Sequence, residues 1–476
     1  MQTKRFGLCA ALSAAALLLL AGCAGSGSTA APTLTVESSY PLQYAKQFTV
    51  DECTGGYELI TIADSQYLVV PQGAAVPEDL PQGTTVLQQP IENIYLVSTS
   101  AMDPIISLGA LDSIALSGTK ADGWYLPEAK AAMQAGQIAY AGKYSAPDYE
   151  KILAANCGLA IENTMIYHTP EVKEQLEKFG IPVLVERSSY ENDPLARMEW
   201  VKLYGILLGK QQEAEQLFDT QVQRVAPLEN QQPTGKTVAF FSITSNNLVT
   251  VRKGSDYVAR MIEMAGGSYV FADLTDNGNN LATINLSLED FYAGAKDADV
   301  LLYNSTIEGS IASTEQLVEK CPLLAQFKAV QNGNVWCTAQ SLFQQSMELP
   351  DLILDMNRVF TEGTPADRII LLQKGSAMHT KRLTITYVAL AAALLGLFVL
   401  NLFWGSVAIS PRGVLQALLG RGQDELAANI LLQLRLPRAV MVVLLGAALS
   451  VAGYLLQTFF ANPIAGPFVM GISSGA

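Results

Sequence analysis

Pro194-Leu195-Ala196-Arg197-Met198-Glu199-Trp200-Val201-Lys202-Leu203-Tyr204 opens a stretch that runs to Val225 without another proline and without a strand signal. Apolar residues return at Trp200, Leu203, Tyr204, Leu207, Leu208, Ala214 and Leu217, a helical spacing. The pattern predicts one unbroken helix, on the order of 45 Å long at its rise per residue. Blocks in which strand and helix signals alternate flank it. From about Tyr40 to Tyr190 the β-rich runs Val86 to Pro90, Asn93 to Ser98, Ile114 to Ser117, Gly158 to Ile161 and Ile181 to Val185 are interleaved with helical segments at Pro104 to Leu111, Pro127 to Ala135, Asp148 to Ala155 and Pro170 to Phe179. After the long helix, strands are expected at Thr237 to Ser242, Val300 to Tyr303 and Val335 to Cys337. Helices are expected at Ser255 to Ala265, Leu288 to Ala293, Thr314 to Glu319 and Pro350 to Phe360. Such alternation predicts parallel sheets with crossover helices, so the fold class is α/β: two Rossmann-like lobes joined by a long backbone helix. A cleft outside the strands' carboxyl ends is then the expected ligand site.

The ends of the chain are of a different kind. Lys4 and Arg5 precede an apolar run, Leu8 to Leu20, that is short for a spanning helix and reads as a secretory signal. It ends in Leu20-Ala21-Gly22-Cys23, which resembles the lipobox of bacterial lipoproteins. The resemblance implies lipidation at Cys23 after removal of residues 1–22, with 23–39 as the tether. At the other end, Leu383 to Phe403 and Ala439 to Phe460 are apolar runs long enough to cross a bilayer, the first preceded by Lys381 and Arg382. The sequence therefore divides into a signal (1–22), a linker (23–39), a first lobe (40–193), the joining helix (194–226), a second lobe (227–373) and an all-α membrane segment (378–476) with two spanning helices and the start of a third.

The net charge is −14, and it is unevenly placed. Residues 23–377 hold 22 basic against 42 acidic side chains, while 378–476 hold six basic against two acidic. An acidic body of that size repels nucleic acid, which is excluded as a partner. Cys53, Cys157, Cys321 and Cys337 are too widely spaced for a zinc or CxxC motif and read as free thiols more readily than as a bridge.

Several short motifs in the two lobes resemble, in order and spacing, the substrate-binding proteins of the iron-siderophore, haem and cobalamin importers. They are Asp148-Tyr149-Glu150-Lys151-Ile152-Leu153, Gly180-Ile181-Pro182-Val183, Pro194 to Trp200, Ala265-Gly266-Gly267, Leu286-Ser287-Leu288-Glu289, Lys296 to Val300 and Asn332-Gly333-Asn334-Val335-Trp336. From Met378 a second resemblance begins. Arg435-Leu436-Pro437-Arg438, followed by Asn462-Pro463-Ile464-Ala465-Gly466-Pro467, is similar to the start of the permease subunits of the same importers. The resemblance implies a lipid-anchored receptor that captures a metal chelate and delivers it to a permease dimer driven by a separate ATPase. Glu150 and Glu289 would be the docking carboxylates and Arg435 and Arg438 their basic counterparts. It also exposes a conflict. A lipoprotein signal sends residues 23–377 outside, whereas Lys381 and Arg382 place the next helix's start in the cytoplasm. Met378-His379-Thr380-Lys381-Arg382 reads as the opening of an independent permease, so two adjacent reading frames joined and truncated is the expectation.

Ligand-binding candidates follow the strand ends: Ser98, Thr99, Ser100, Glu162 and Asn163 in the first lobe, and Ser242, Asn246, Tyr303 and Asn304 in the second. Trp124, Tyr125, Tyr144 and Phe343 are the aromatics that could pack on a flat ligand. Only His168 lies in the lobes, beside a proline helix entry, so a bare-metal site of several imidazoles is excluded and no metal site is expected. The metal, iron or cobalt, should arrive already chelated, with no intrinsic cofactor. Gly235-Lys236-Thr237 lacks the first phosphate-loop glycine, Asn230 standing there, and Gly471-Ile472-Ser473-Ser474-Gly475 has no strand before it. No catalytic residue is expected. Two other classes use the same form: a chelatase-like tetrapyrrole enzyme, distinguished by turnover of bound chelate, and a surface sensor, which needs neither docking glutamate.

Overall fold

The computed structural model describes residues 34–274, 281–363, 369–371, 392–402, 409–419 and 428–460. Cys23, the signal and most of the tether lie outside them, as does the expected start of a third membrane helix. The described residues fall into two compact units, divided near Lys374.

The first unit opens with a sheet that the sequence reading placed within the strand-helix alternation. β1 (Val36–Ser39), β2 (Phe48–Cys53), β3 (Tyr57–Ile62) and β4 (Ser65–Val70) form an antiparallel meander, and β5 (Thr85–Gln88) adds in parallel. Its strands alternate as one-sided sheets do, with Phe48 and Val50 inward and Thr49 exposed. The first lobe then follows with β6 (Ile94–Leu96), α1 (Met102–Ser107), β7 (Ile114–Ser117), α2 (Pro127–Gln134), β8 (Ala139–Tyr140), α3 (Tyr149–Ala154), β9 (Ala160–Asn163), α4 (Pro170–Lys178) and β10 (Val183–Glu186). Its sheet is parallel, in the order β10-β9-β6-β7-β8. Val183-Leu184-Val185 is wholly buried, as a strand covered on both faces must be.

The single long helix is corrected to a pair, α5 (Pro194–Leu207) and α6 (Gln211–Val225), folded back on each other. Gly209 adopts φ +66°. The Lys210 N–H reaches the Gly205 carbonyl at 2.7 Å and the Gly209 N–H reaches Ile206 at 3.3 Å, the bonding pattern that ends a helix on a left-handed glycine. A Cβ added at Gly205 would stand 2.5 Å from Ala214 Cβ, so glycine is what lets the helices meet.

Glu199 on α5 is fully buried and fastens the meander to this pair. Its carboxylate accepts the backbone N–H groups of Gln43, Tyr44 and Ala45 at 2.7–2.8 Å and the Lys202 ammonium at 2.8 Å. Glu191 does the same for Lys46, Gln47 and the Trp200 indole. A buried carboxylate is tolerable on these terms because donors replace its lost water.

The second lobe is built on β11 (Thr237–Ile243), β12 (Val249–Arg252), α7 (Tyr257–Met264), β13 (Ser268–Tyr269), β14 (Thr283–Leu286), α8 (Leu288–Ala295), β15 (Val300–Tyr303), α9 (Ser305–Glu308), α10 (Thr314–Lys320), α11 (Lys328–Asn332), β16 (Val335–Thr338), α12 (Leu349–Glu362) and β17 (Ile369–Leu371). β13, β15 and β16 run parallel with β11 or its neighbour, and β12, β14 and β17 extend the edges antiparallel. The four lobe cysteines are buried free thiols.

The second unit contains α13 (Ala392–Leu402), α14 (Pro411–Leu418) and α15 (Leu436–Phe460), the last entered through a π-helical turn at Ile430–Arg435. Pro437 cannot donate to the carbonyl four residues before it, and a widened turn accommodates that loss. Among the described residues one helix is long and apolar enough to cross a membrane, Ile430–Gly453, against the two expected. The first expected span is described only over Ala392–Leu402. The second begins earlier than its apolar run, so Arg435 and Arg438 lie within the helical segment instead of preceding it.

Candidate functional site

The carboxyl ends of the two lobes' parallel strands face each other. Gln344, just past β16, accepts from the Tyr125 N–H and donates to the Gly123 carbonyl, both at 2.8 Å and both just past β7. Ser346 donates to the Ser100 carbonyl past β6 at 3.1 Å, and the Met347 N–H donates to Asp103 at 2.8 Å. These bonds cross from one lobe to the other at the strand ends.

Several expected ligand groups are committed to the protein itself. Ser98 and Ser100 both donate to one Glu186 oxygen at 2.9 Å, while the Ser188 N–H donates to the other at 2.8 Å, so the serines stabilise a buried carboxylate. Asn163 and Asn304 cap the turns they precede by accepting from the N–H groups of Met165 and Thr306. Trp124 is corrected to a core residue, 1% exposed with its indole N–H on Ser117. Tyr303, fully buried beside Phe241, and Ser242 are likewise corrected to interior positions. Glu162 points away from the cleft. β9 alternates, so Glu162 shares the face of Ala160, which packs in the core containing Tyr95, Ile152 and Leu176 beneath α3 and α4. Both its oxygens are buried without a hydrogen-bond partner among the described residues, and burial pushes its carboxyl up to about 8.

The remaining candidates meet solvent. Tyr125 and Asn246 are exposed, and Thr99, Tyr144 and Phe343 are half-buried. With them stand residues the sequence reading missed: Met165, Tyr167, Tyr190, Leu248 and Ile307 are exposed apolar side chains on segments leaving β9, β10, β11 and β15. Their signal was positional, an apolar side chain just past a strand end with no core left to enter. Also missed were three guanidinium groups stacked on rings: Arg187 on Tyr190 at 4.5 Å, Arg197 on Tyr257 at 3.6 Å and Arg252 on Phe343 at 4.9 Å. Burial holds Arg197 below the ordinary arginine value. Aromatic faces and stacked guanidinium edges hold a bulky ligand by area and direction rather than attack it. Two grooves of about 460 and 480 Å³ lie elsewhere, one along Leu195, Leu228 and Met264, the other along Gln89, Ile91 and Leu208. Among the described residues no three His, Cys, Asp or Glu side chains converge as a metal site would need. His168 is exposed at the entry to α4.

The docking candidates sit on the outer surface. Glu150 and Glu289 are exposed in the first turns of α3 and α8, and neither has an ion-pair partner among the described residues. Arg438 is exposed, whereas Arg435 donates to the Leu402 carbonyl, the last of α13, at 2.8 Å.

Two α/β lobes, bridged by a helical pair and opposed at their strand ends, define a two-lobed ligand-binding protein. The chain belongs to the periplasmic binding protein family, whose model matches residues 96–341. Residues 393–476 match the FecCD transport family. The chain is 29% identical over 236 residues to an uncharacterized lipoprotein of Methanocaldococcus jannaschii, covering 49% of this chain and 55% of that one. It is 42% identical over 112 residues to the achromobactin transport system permease protein of Dickeya dadantii, 23% of this chain and 32% of that one. The chain thus spans about half and about a third of the length of these relatives. A periplasmic heme-binding protein of Pseudomonas aeruginosa superposes with a TM-score of 0.47 at 18% identity, over 60% of this chain and 99% of that one.

Proposed function

We propose that this chain is the receptor of an ABC importer: a lipoprotein, anchored at Cys23 in the cell envelope, that captures a pre-chelated metal such as a ferric siderophore, haem or a corrinoid. It binds without catalysing and passes the chelate to a permease dimer energised by a separate ATPase. The observation that carries this is the succession, in one chain, of a periplasmic binding protein domain (96–341) and a FecCD segment (393–476). Glu150 and Glu289 dock on permease arginines that correspond to Arg435 and Arg438. The exposed apolar side chains at the strand ends, with the stacked arginines, form the ligand-facing lining.

The test is to purify the full chain from its host's membranes and record the absorption spectrum and mass of what accompanies it. A coloured iron or cobalt chelate is expected. A bare protein that stays colourless when offered ferric siderophores, haem and cobalamin, or one that converts an offered porphyrin, overturns the reading.

A further inference from the structure

We propose that the two lobes dock unequally, with Leu153 and Phe179 of the first lobe acting as the apolar anchors that seat it on the permease; this rests on the docking reading above. Most large apolar side chains exposed on the lobes sit past strand ends, where the cleft accounts for them. Leu153 and Phe179, 42% and 41% exposed, do not. Leu153 lies three residues from Glu150 on α3 and shares its face. Phe179 ends α4 and packs edge-on against Tyr149, the residue before Glu150, with ring centroids 5.7 Å apart. On the same helix Asp148 is already paired with Lys151 at 3.2 Å. A carboxylate with no ion-pair partner among the described residues, with exposed Leu153 on its face and exposed Phe179 against the neighbouring Tyr149, has the composition of an interface centre: area supplies affinity and charge supplies register.

The second lobe lacks this. Around Glu289 the neighbours one turn on are the half-buried Tyr292 and the exposed but small Ala293, and Asp290 is occupied with Ser287 at 2.7 Å. The exposed apolar side chains on that side, Leu248 beside the Leu286 end of β14 and Leu281 ahead of the strand, lie off the helix that carries Glu289, so α8 itself offers charge with little apolar area. The occupant that fits both sides is the extracytoplasmic rim of a FecCD-type permease. The segment matching that family, residues 393–476, holds four basic and two acidic residues, and its Arg438 is exposed.

The experiment places p-benzoylphenylalanine in the full chain at Leu153, Phe179, Ala293 or the exposed Val76, expresses each variant in the native host, irradiates, and identifies adducts by mass spectrometry. All four positions are exposed, so the substitutions leave the core intact. Positions 153 and 179 are expected to yield adducts with permease peptides at least tenfold more abundantly than 293 or 76. Equal yields at 153, 179 and 293, or adducts joining two copies of this chain, overturn the inference. Permease adducts at 293 with none at 153 and 179 overturn it while leaving the docking reading standing; no permease adduct at any position removes both.

Discussion

Asp103 in the first lobe accepts a 2.8 Å hydrogen bond from the backbone N–H of Met347 in the second. Met347 sits in the turn that leads into α12, a helix with no side-chain cap of its own. Asp103 therefore caps the 3-10 turn Ser346–Glu348 that leads into α12, across the lobe boundary, and its carboxylate also suits the positive end of the helix dipole. Asp103→Ala is expected to destabilise the folded chain by about 1 kcal/mol, as cap removal does. Asp103→Asn, which still offers an oxygen, should lose less. Urea midpoints of the three proteins test this, and identical midpoints would show that the bond contributes nothing.

Glu162 makes stability depend on pH. An acid whose carboxyl is raised from 4.5 to about 8 by burial holds its proton more tightly folded than unfolded. The stability is thus fully present below about pH 4.5 and declines as pH rises to about 8, by up to about 1.4 kcal/mol per pH unit. Glu58, raised to about 7 by burial, adds to the lower part of that window, so the interval above pH 7 isolates Glu162. Glu162→Met should flatten the profile there and leave the variant more stable than the parent at pH 9. Parallel profiles above pH 7 in urea melts would remove the assignment.

The elements read most accurately from sequence are those whose environment is uniform. Ile114–Ser117 and Val300–Tyr303 are found where expected because short apolar runs bounded by turn residues have one stable use, a strand covered on both faces. The meander was missed because Phe48-Thr49-Val50 and Tyr67-Leu68-Val69 were absorbed into a strand-helix rhythm, although no helix separates those strands. α5 and α6 were fused because each buries a face on the other, which keeps the apolar spacing in step across Gly209. Glu150 and Glu289 open helices as expected, because helix-opening acids show in local sequence. Trp124 and Glu162 were not, since sequence gives no side for a residue that can face either a cleft or a core.

Gly205 tests whether the helical pair depends on close approach. Alanine favours a helix over glycine by about 1 kcal/mol, so propensity alone predicts that Gly205→Ala stabilises. The new methyl would meet Ala214 Cβ at 2.5 Å and the Lys210 carbonyl at 2.9 Å, and the second of these is backbone that ends the helix. Overpacking of this kind costs about 1–3 kcal/mol and should outweigh the gain. A lower midpoint in thermal or urea unfolding is expected, and a raised one would mean that the helices part without cost.

Reversing Glu150 and Glu289 to arginine together tests the docking charges apart from the anchors. Both side chains are exposed, so the change should leave the unfolding midpoint within about 0.5 kcal/mol of the parent. Exposed charges act mainly on encounter and are screened within about 8 Å at physiological salt. Parent cells carrying the complete importer should therefore accumulate radioactive iron more slowly as salt is raised. The double variant should take up iron at least tenfold more slowly at low salt and recover in part as salt is raised, because its arginines repel the permease arginines and salt screens that repulsion. The opposite salt response matters more than the loss itself, because a misfolded receptor would also lose uptake but would not regain it with salt. Uptake that survives both reversals intact would mean that the two glutamates merely favour the positive ends of their helices.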